Sequence, residues 1–130
     1  MNNPFKIGDI KEHFHTVNEN DLAEFRTGKV HDLYSTFALG RDAEWCCRLF
    51  VLEMIEDDEQ GIGTFLNISH RSPAFLGSEV RFEAELTEVV TNNVTCKFRA
   101  FVGTRIVAEG EQGQKILKKD RLEQLFVSLK

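Results

Sequence analysis

The sequence predicts an α+β fold in which an antiparallel sheet wraps one long central helix. Three observations carry that expectation. One run of about five helical turns bears a single apolar stripe, an alternating segment precedes it, and only alternating segments joined by short turns follow it until the last residues. With 130 residues, 42% of them hydrophobic and eleven of them phenylalanine, the chain is long enough for one core and too short for two. Residues 1–130 are therefore read as one domain.

The elements follow in chain order. Residues 11–19, "KEHFHTVNE", alternate as a strand, with His13, His15 and Val17 on one face and Phe14 and Thr16 on the other. "NDLAEF" offers a short helical turn with Asn20 as its cap, and a loop through Gly28 leads on. In "STFALGRDAEWCCRLFVLEMIEDD" the residues Leu39, Ala43, Cys46, Cys47, Phe50 and Met54 recur at three- and four-residue spacing. That spacing makes one continuous stripe on a helix, with Ser35 or Thr36 as N-cap and Gly61 just beyond the far end. "GTFLNISH" is the next strand. "EVRFEAELTEVV" alternates with Val80, Phe82, Ala84 and Leu86 inward, and "VTCKFRAFV" does so with Val94, Cys96, Phe98, Ala100 and Val102 on one face. The turn "TNN" separates them, because asparagine tolerates positive φ. "GT" turns the chain into "RIVAEGEQGQKIL", and a short helix, "KDRLEQLFVSL", ends it. Strand, long helix and antiparallel meander is the order of the hot-dog fold, and other α+β rolls share it.

Composition narrows the function. A net charge of -5 and a pI near 5.4 argue against nucleic acid, whose phosphates need a basic face. No run approaches the roughly 20 apolar residues of a membrane span. "MNNPFKIGDIKEHF" lacks the basic and then apolar pattern of a signal peptide. Cys46, Cys47 and Cys96 have no C-x-x-C spacing and suit small apolar fillers in a reduced, cytoplasmic chain. His13, His15 and His31 show no third ligand at diagnostic spacing, so no metal is expected.

Four residues stand where apolar ones would be the ordinary choice. Thr36 lies at the helix start, Glu44 borders the apolar stripe about 100° from its centre, and Gly63 and His70 bracket the next strand. Each has an ordinary role open to it: helix cap, exposed carboxylate, bulge glycine and satisfied structural histidine. Their joint order says more. Thr36, then Glu44 eight residues on, then "GTFLNISH" with its histidine seven after the glycine, then "HRSPAFLG", resembles the fluoroacetyl-CoA thioesterase-like branch of the hot-dog thioesterases. "AELTEV" at residues 84–89 resembles a strand of that family, and the likeness spans roughly residues 9–120.

The resemblance implies a catalytic set of Thr36, Glu44 and His70, with Gly63 beside the acyl group. It also implies an acyl-CoA substrate and edge-to-edge pairing into a homodimer or a higher oligomer. A phenylalanine six residues before the threonine gates the pocket of the fluoroacetate-specific member; here Val30 stands there, so that specificity is not carried over. The residue types suit the chemistry. An imidazole of ordinary pKa about 6.5 can act as base and then as acid toward the leaving thiolate. Glu44 can hold the water or attack to give a mixed anhydride. Thr36 brings a hydroxyl to a helix N-terminus that favours developing negative charge. Arg71, next to His70, is the candidate for the phosphates of coenzyme A, with Arg99 and Arg105 behind it. No cofactor is expected beyond coenzyme A as part of the substrate.

Strand geometry adds an expectation of its own. Gly63 and His70 are seven residues apart, about 23 Å along an extended strand, and an odd separation puts them on opposite faces. Either a bulge intervenes or the site is shared between protomers, and sharing is expected, with Gly63 of one chain serving residues of the other. The function that follows is hydrolysis of a small acyl-CoA thioester. The rival is a non-catalytic acyl-CoA-binding or sensing protein of the same fold.

Overall fold

The structure, a computed structural model, describes residues 1–25 and 28–130, and the side chains of Phe25, Lys29 and Val30 also lie outside that description. The elements are β1 (Ile10–Thr16), a 3-10 turn (Glu19–Asp21), β2 (Leu22–Phe25), β3 (Gly28–Tyr34), α1 (Thr36–Met54), β4 (Glu59–His70), β5 (Glu79–Val90), β6 (Asn93–Val102), β7 (Arg105–Lys118) and α2 (Lys119–Leu129). Five strands form one antiparallel sheet in the order β1-β5-β6-β7-β4, and β2 and β3 pair separately.

Helix α1 touches all five strands of the large sheet. Its stripe of Leu39, Ala43, Cys46, Cys47, Phe50 and Met54 is fully buried. Opposite lie Val80, Phe82, Ala84 and Leu86 of β5 and Val94, Cys96, Phe98 and Ala100 of β6, all at most 1% exposed. The alternation read from the sequence is thus the inward face of the sheet. All three cysteines are free and buried, and burial pushes the Cys46 thiol up to about 12.

Several details differ from expectation. Asn18, not Asn20, caps the turn after β1, its side chain accepting from the Asn20 amide while Asp21 reaches back to the Asn18 amide. Leu22–Phe25, expected within a helical turn, and Gly28–Tyr34, expected within a loop, form the paired strands β2 and β3, because Leu22 pairs with Tyr34 and both side chains are buried. The rest of the expected loop, Arg26 and Thr27, lies outside the described residues. Gly61 does not end α1, because the chain leaves the helix at Ile55 and Gly61 lies inside β4. In the turn after β5 the residue with positive φ is Thr91, at 56°. Strand β4 is an edge strand, and its Phe65 and Leu66 are 46% and 38% exposed.

Candidate functional site

Ser35 caps α1 by accepting a hydrogen bond from the Ala38 amide at 3.0 Å. That relieves Thr36 of the capping role and leaves its hydroxyl for another partner. The partner is His70: Thr36 Oγ1 and His70 Nδ1 are 2.9 Å apart, joining the start of α1 to the end of β4. The other ring nitrogen, Nε2, is buried and has no hydrogen-bond partner among the described residues. Burial pushes the His70 imidazole below its usual range, with the Ser72 backbone pulling the other way. A ring fixed through one nitrogen and kept neutral presents the other nitrogen for proton transfer.

Glu44 lies eight residues along α1, about 12 Å from Thr36 at 1.5 Å per residue. Its Oε2 accepts from Gln112 Nε2 at 3.3 Å. Gly63 faces the same oxygen, for a Cβ there would lie 3.1 Å from Oε2. The chain therefore holds two pairs, Thr36 with His70 and Glu44 with Gly63, and one member of each, Thr36 and Glu44, lines a shallow groove of about 400 Å³. Thr36, Phe37, Gly40, Arg41, Glu44, Leu66 and Ile68 line it. Gly40 lets β4 approach closely, since a Cβ there would meet Ile68 Cδ1 at 2.8 Å. Phe37 at its rim is 86% exposed.

The expectation that Gly63 and His70 face opposite ways is overturned. The register of β4 against β7 runs Gly63↔Gln114 and then Phe65↔Gly113, so Thr64 is an extra, unpaired residue. That bulge reverses the alternation and turns Gly63, Leu66, Ile68 and His70 all toward α1. Length is not removed with parity. Six regular steps of strand still span about 20 Å, so the two pairs stay apart within one chain.

Arg71 lines a depression of about 290 Å³ together with Leu33, Tyr34, His70, Ser72 and Pro73. Its guanidinium is held by Glu109 at 2.6 Å, so its charge is already matched. Arg105 bonds Ser72 Oγ and the Pro73 carbonyl, both at 2.6 Å, and thereby braces the loop after His70. Val30 lies in β3, with its side chain outside the described residues.

Two features were missed from sequence. The first is a buried pair of amides, Gln112 and Gln114, behind Glu44; two polar residues at i and i+2 on an inward strand face were the available signal. The second joins β1, the 3-10 turn, β3 and α1. His15 Nε2 lies 2.6 Å from Asp21 Oδ2 and 3.4 Å from Asp42 Oδ2, Arg41 pairs with both carboxylates, and the Tyr34 hydroxyl donates to Asp42. Burial raises the Asp21 pKa, but the Asn18 amide, Arg41 and His15 outweigh it and hold the carboxyl below its usual range. The donor atoms of His15, Asp21 and Asp42 lie within 4.8 Å of one another, yet Arg41 and Tyr34 already occupy the carboxylates. This is a closed charge network that anchors the entry to α1, where the Ser35 amide donates to the Asp21 carbonyl.

Comparison with known proteins identifies the family and the fold. Residues 17–120 match the family profile described as FlK, fluoroacetyl-CoA-specific thioesterase. A Thermus thermophilus hypothetical protein, described as a thioesterase superfamily member, superposes with a TM-score of 0.92 at 27% identity, over 97% of this chain and 93% of that one. A hot-dog-like protein from Thermanaerovibrio acidaminovorans gives 0.87 at 20% identity, over 95% and 92%. A variant of FlK crystallised with fluoroacetate and CoA gives 0.84 at 18% identity, over 91% and 99%. The α+β architecture of a sheet around one helix is thus the hot-dog fold. No curated protein sequence matches the chain. No helix among the described residues is long and apolar enough to cross a membrane.

Proposed function

Because the chain belongs to the fluoroacetyl-CoA-specific thioesterase family, we propose that it hydrolyses a small acyl-CoA thioester at a site assembled from two copies. The observation that carries this is the Thr36–His70 bond, which orients the ring and leaves the buried Nε2 without a partner among the described residues. In the proposed step His70 takes a proton from water as the oxygen attacks the thioester carbon, and returns it to sulfur as the C–S bond breaks. The products are the free acid and coenzyme A. The Thr36 hydroxyl can donate to or accept from Nδ1, so the bond survives both tautomers of the ring. Glu44 holds the water, or attacks and forms an anhydride that water then cleaves. The first-turn amides of α1 favour the oxyanion.

Assembly follows from the edge. Antiparallel pairing of β4 with the β4 of a second copy, centred on Asn67 and with the Thr64 bulge skipped, sets Gly63 of each chain opposite His70 of the other. Glu44 and Gly63 of one protomer then meet Thr36 and His70 of its partner, closing the gap that a single chain leaves open. The exposed Phe37, Phe65 and Leu66 supply apolar surface for such a contact. Arg71 would serve a coenzyme A phosphate by exchanging Glu109 for it. The test is hydrolysis of a panel of short acyl-CoA thioesters by the wild type and by His70→Ala. Turnover by the wild type, falling about 10²- to 10⁴-fold in the variant, is expected. No turnover of any thioester overturns the reading and leaves an acyl-CoA-binding protein in its place, and full activity in the variant overturns the role of His70.

A further inference from the structure

We infer that Gln112 is a positioning residue for Glu44, with Gln114 behind it setting its orientation; this rests on the reading of Glu44 as the carboxylate of thioester hydrolysis. Both glutamines project from β7 into the interior, at 0% and 2% exposure, on a face whose next member is the buried Ile116. A primary amide is costly to bury unless its polar atoms are paired. A pair of leucines would fill the same space without that cost.

The hydrogen bonds have a fixed direction. An ionised carboxylate only accepts, so Gln112 must turn its NH₂ toward Glu44 Oε2, as it does at 3.3 Å. Its carbonyl oxygen then faces Gln114, which must present NH₂ in turn, and Gln114 Nε2 donates to Gln112 Oε1 at 3.0 Å. The leftover atom is Gln114 Oε1, buried and unpartnered among the described residues. The relay thus places its one unmet acceptor at the end away from the groove and its donor at the carboxylate. Strand β7 is paired on both sides, by β4 and β6, so the donor comes from a backbone held within the sheet rather than at its edge. Gly63 keeps its missing Cβ beside the same Oε2. One oxygen of Glu44 is therefore held, and the other is left to meet water or the acyl carbon.

The test replaces both amides with a side chain of similar length and no donor, Gln112→Met with Gln114→Met. Removing both glutamines together leaves neither amide orphaned, and only the half-buried Glu44 carboxylate loses a donor, so the double variant should melt near the wild-type temperature. Its kcat should nevertheless fall about 10- to 100-fold, with KM within about twofold, because misplacing a reacting group by about 1 Å costs about that much. A folded double variant with wild-type kcat would show the pair to be filler and overturn the inference. A second measurement needs no turnover: the Gln112 side-chain amide resonances should move, and their hydrogen exchange quicken, in Glu44→Ala. Unmoved resonances would also overturn it. Absence of thioesterase activity in the wild type would instead remove the proposed function, and the amide measurement would still decide whether Gln112 holds Glu44.

Discussion

Adding one methyl group at Gly63 separates catalysis from folding. The Cβ of Gly63→Ala would lie 3.1 Å from Glu44 Oε2, 3.6 Å from its Cδ and 3.7 Å from Gln112 Nε2, where ordinary contact begins at 3.4 Å. The carboxylate must therefore retreat by about 0.3 Å, pressed between the new methyl and the Gln112 amide. If about 1 Å of misplacement costs about 10²-fold, this shift lowers kcat about fourfold, and more if the acyl group needs the same space. Stability should move the other way. Alanine in a strand is favoured over glycine by about 0.5–1 kcal/mol, which offsets a contact tight by a few tenths of an ångström. Gly63→Val enlarges the intrusion and should deepen the loss of kcat beyond that of alanine. The assay is initial-rate hydrolysis of acetyl-CoA with free thiol detection, beside thermal melts of both variants. Unchanged kcat in both, or activity falling only in step with melting temperature, would refute the reasoning.

The remaining predictions concern the other members of the site and its anchor. The His70 imidazole is held below its usual range by burial, so the active neutral ring persists above about pH 6.5 and activity falls as pH drops through the lower folded value; a rate profile rising only above pH 8 would contradict this. Thr36→Ser should keep most activity and Thr36→Ala should lose about 10-fold or more, with melting temperature nearly unchanged in both because Ser35 remains the cap. Asp21 is held below the usual carboxylate range, so its contribution to stability is present above about pH 4 and is lost as pH falls through its folded value. Asp21→Ala should cost about 2 kcal/mol at neutral pH in urea unfolding, a figure discounted for the half-exposed Arg41, and should gain nothing from added divalent cations.

Much of this was legible because periodicity reports burial. The stripe from Leu39 to Met54 and the alternation of Val80–Leu86 and Val94–Ala100 each announce a face that must be covered. The β2–β3 hairpin was not legible, since Lys29, His31 and Asp32 interrupt any alternation and the pairing depends on Leu22 and Tyr34 finding the core. The Thr64 bulge was open only as an alternative, because a single extra residue leaves no mark on composition. Thr36, Glu44, Gly63 and His70 stood out as candidates by their order in the chain and the family resemblance that order carries. Their division into two pairs did not, because it depends on how far α1 and β4 run side by side. The amides of Gln112 and Gln114 were passed over in a strand judged by its apolar members alone.

The account turns on the two pairs completing each other across β4, and mixed dimers test this most directly. Glu44→Gln and His70→Ala chains, each inactive alone, are to be unfolded together in equal amounts and refolded. If Glu44 of one protomer serves His70 of its partner, half the mixed population carries one intact site per dimer, and activity should return to about a quarter of wild type. Activity no greater than the sum of the two variants alone would contradict it.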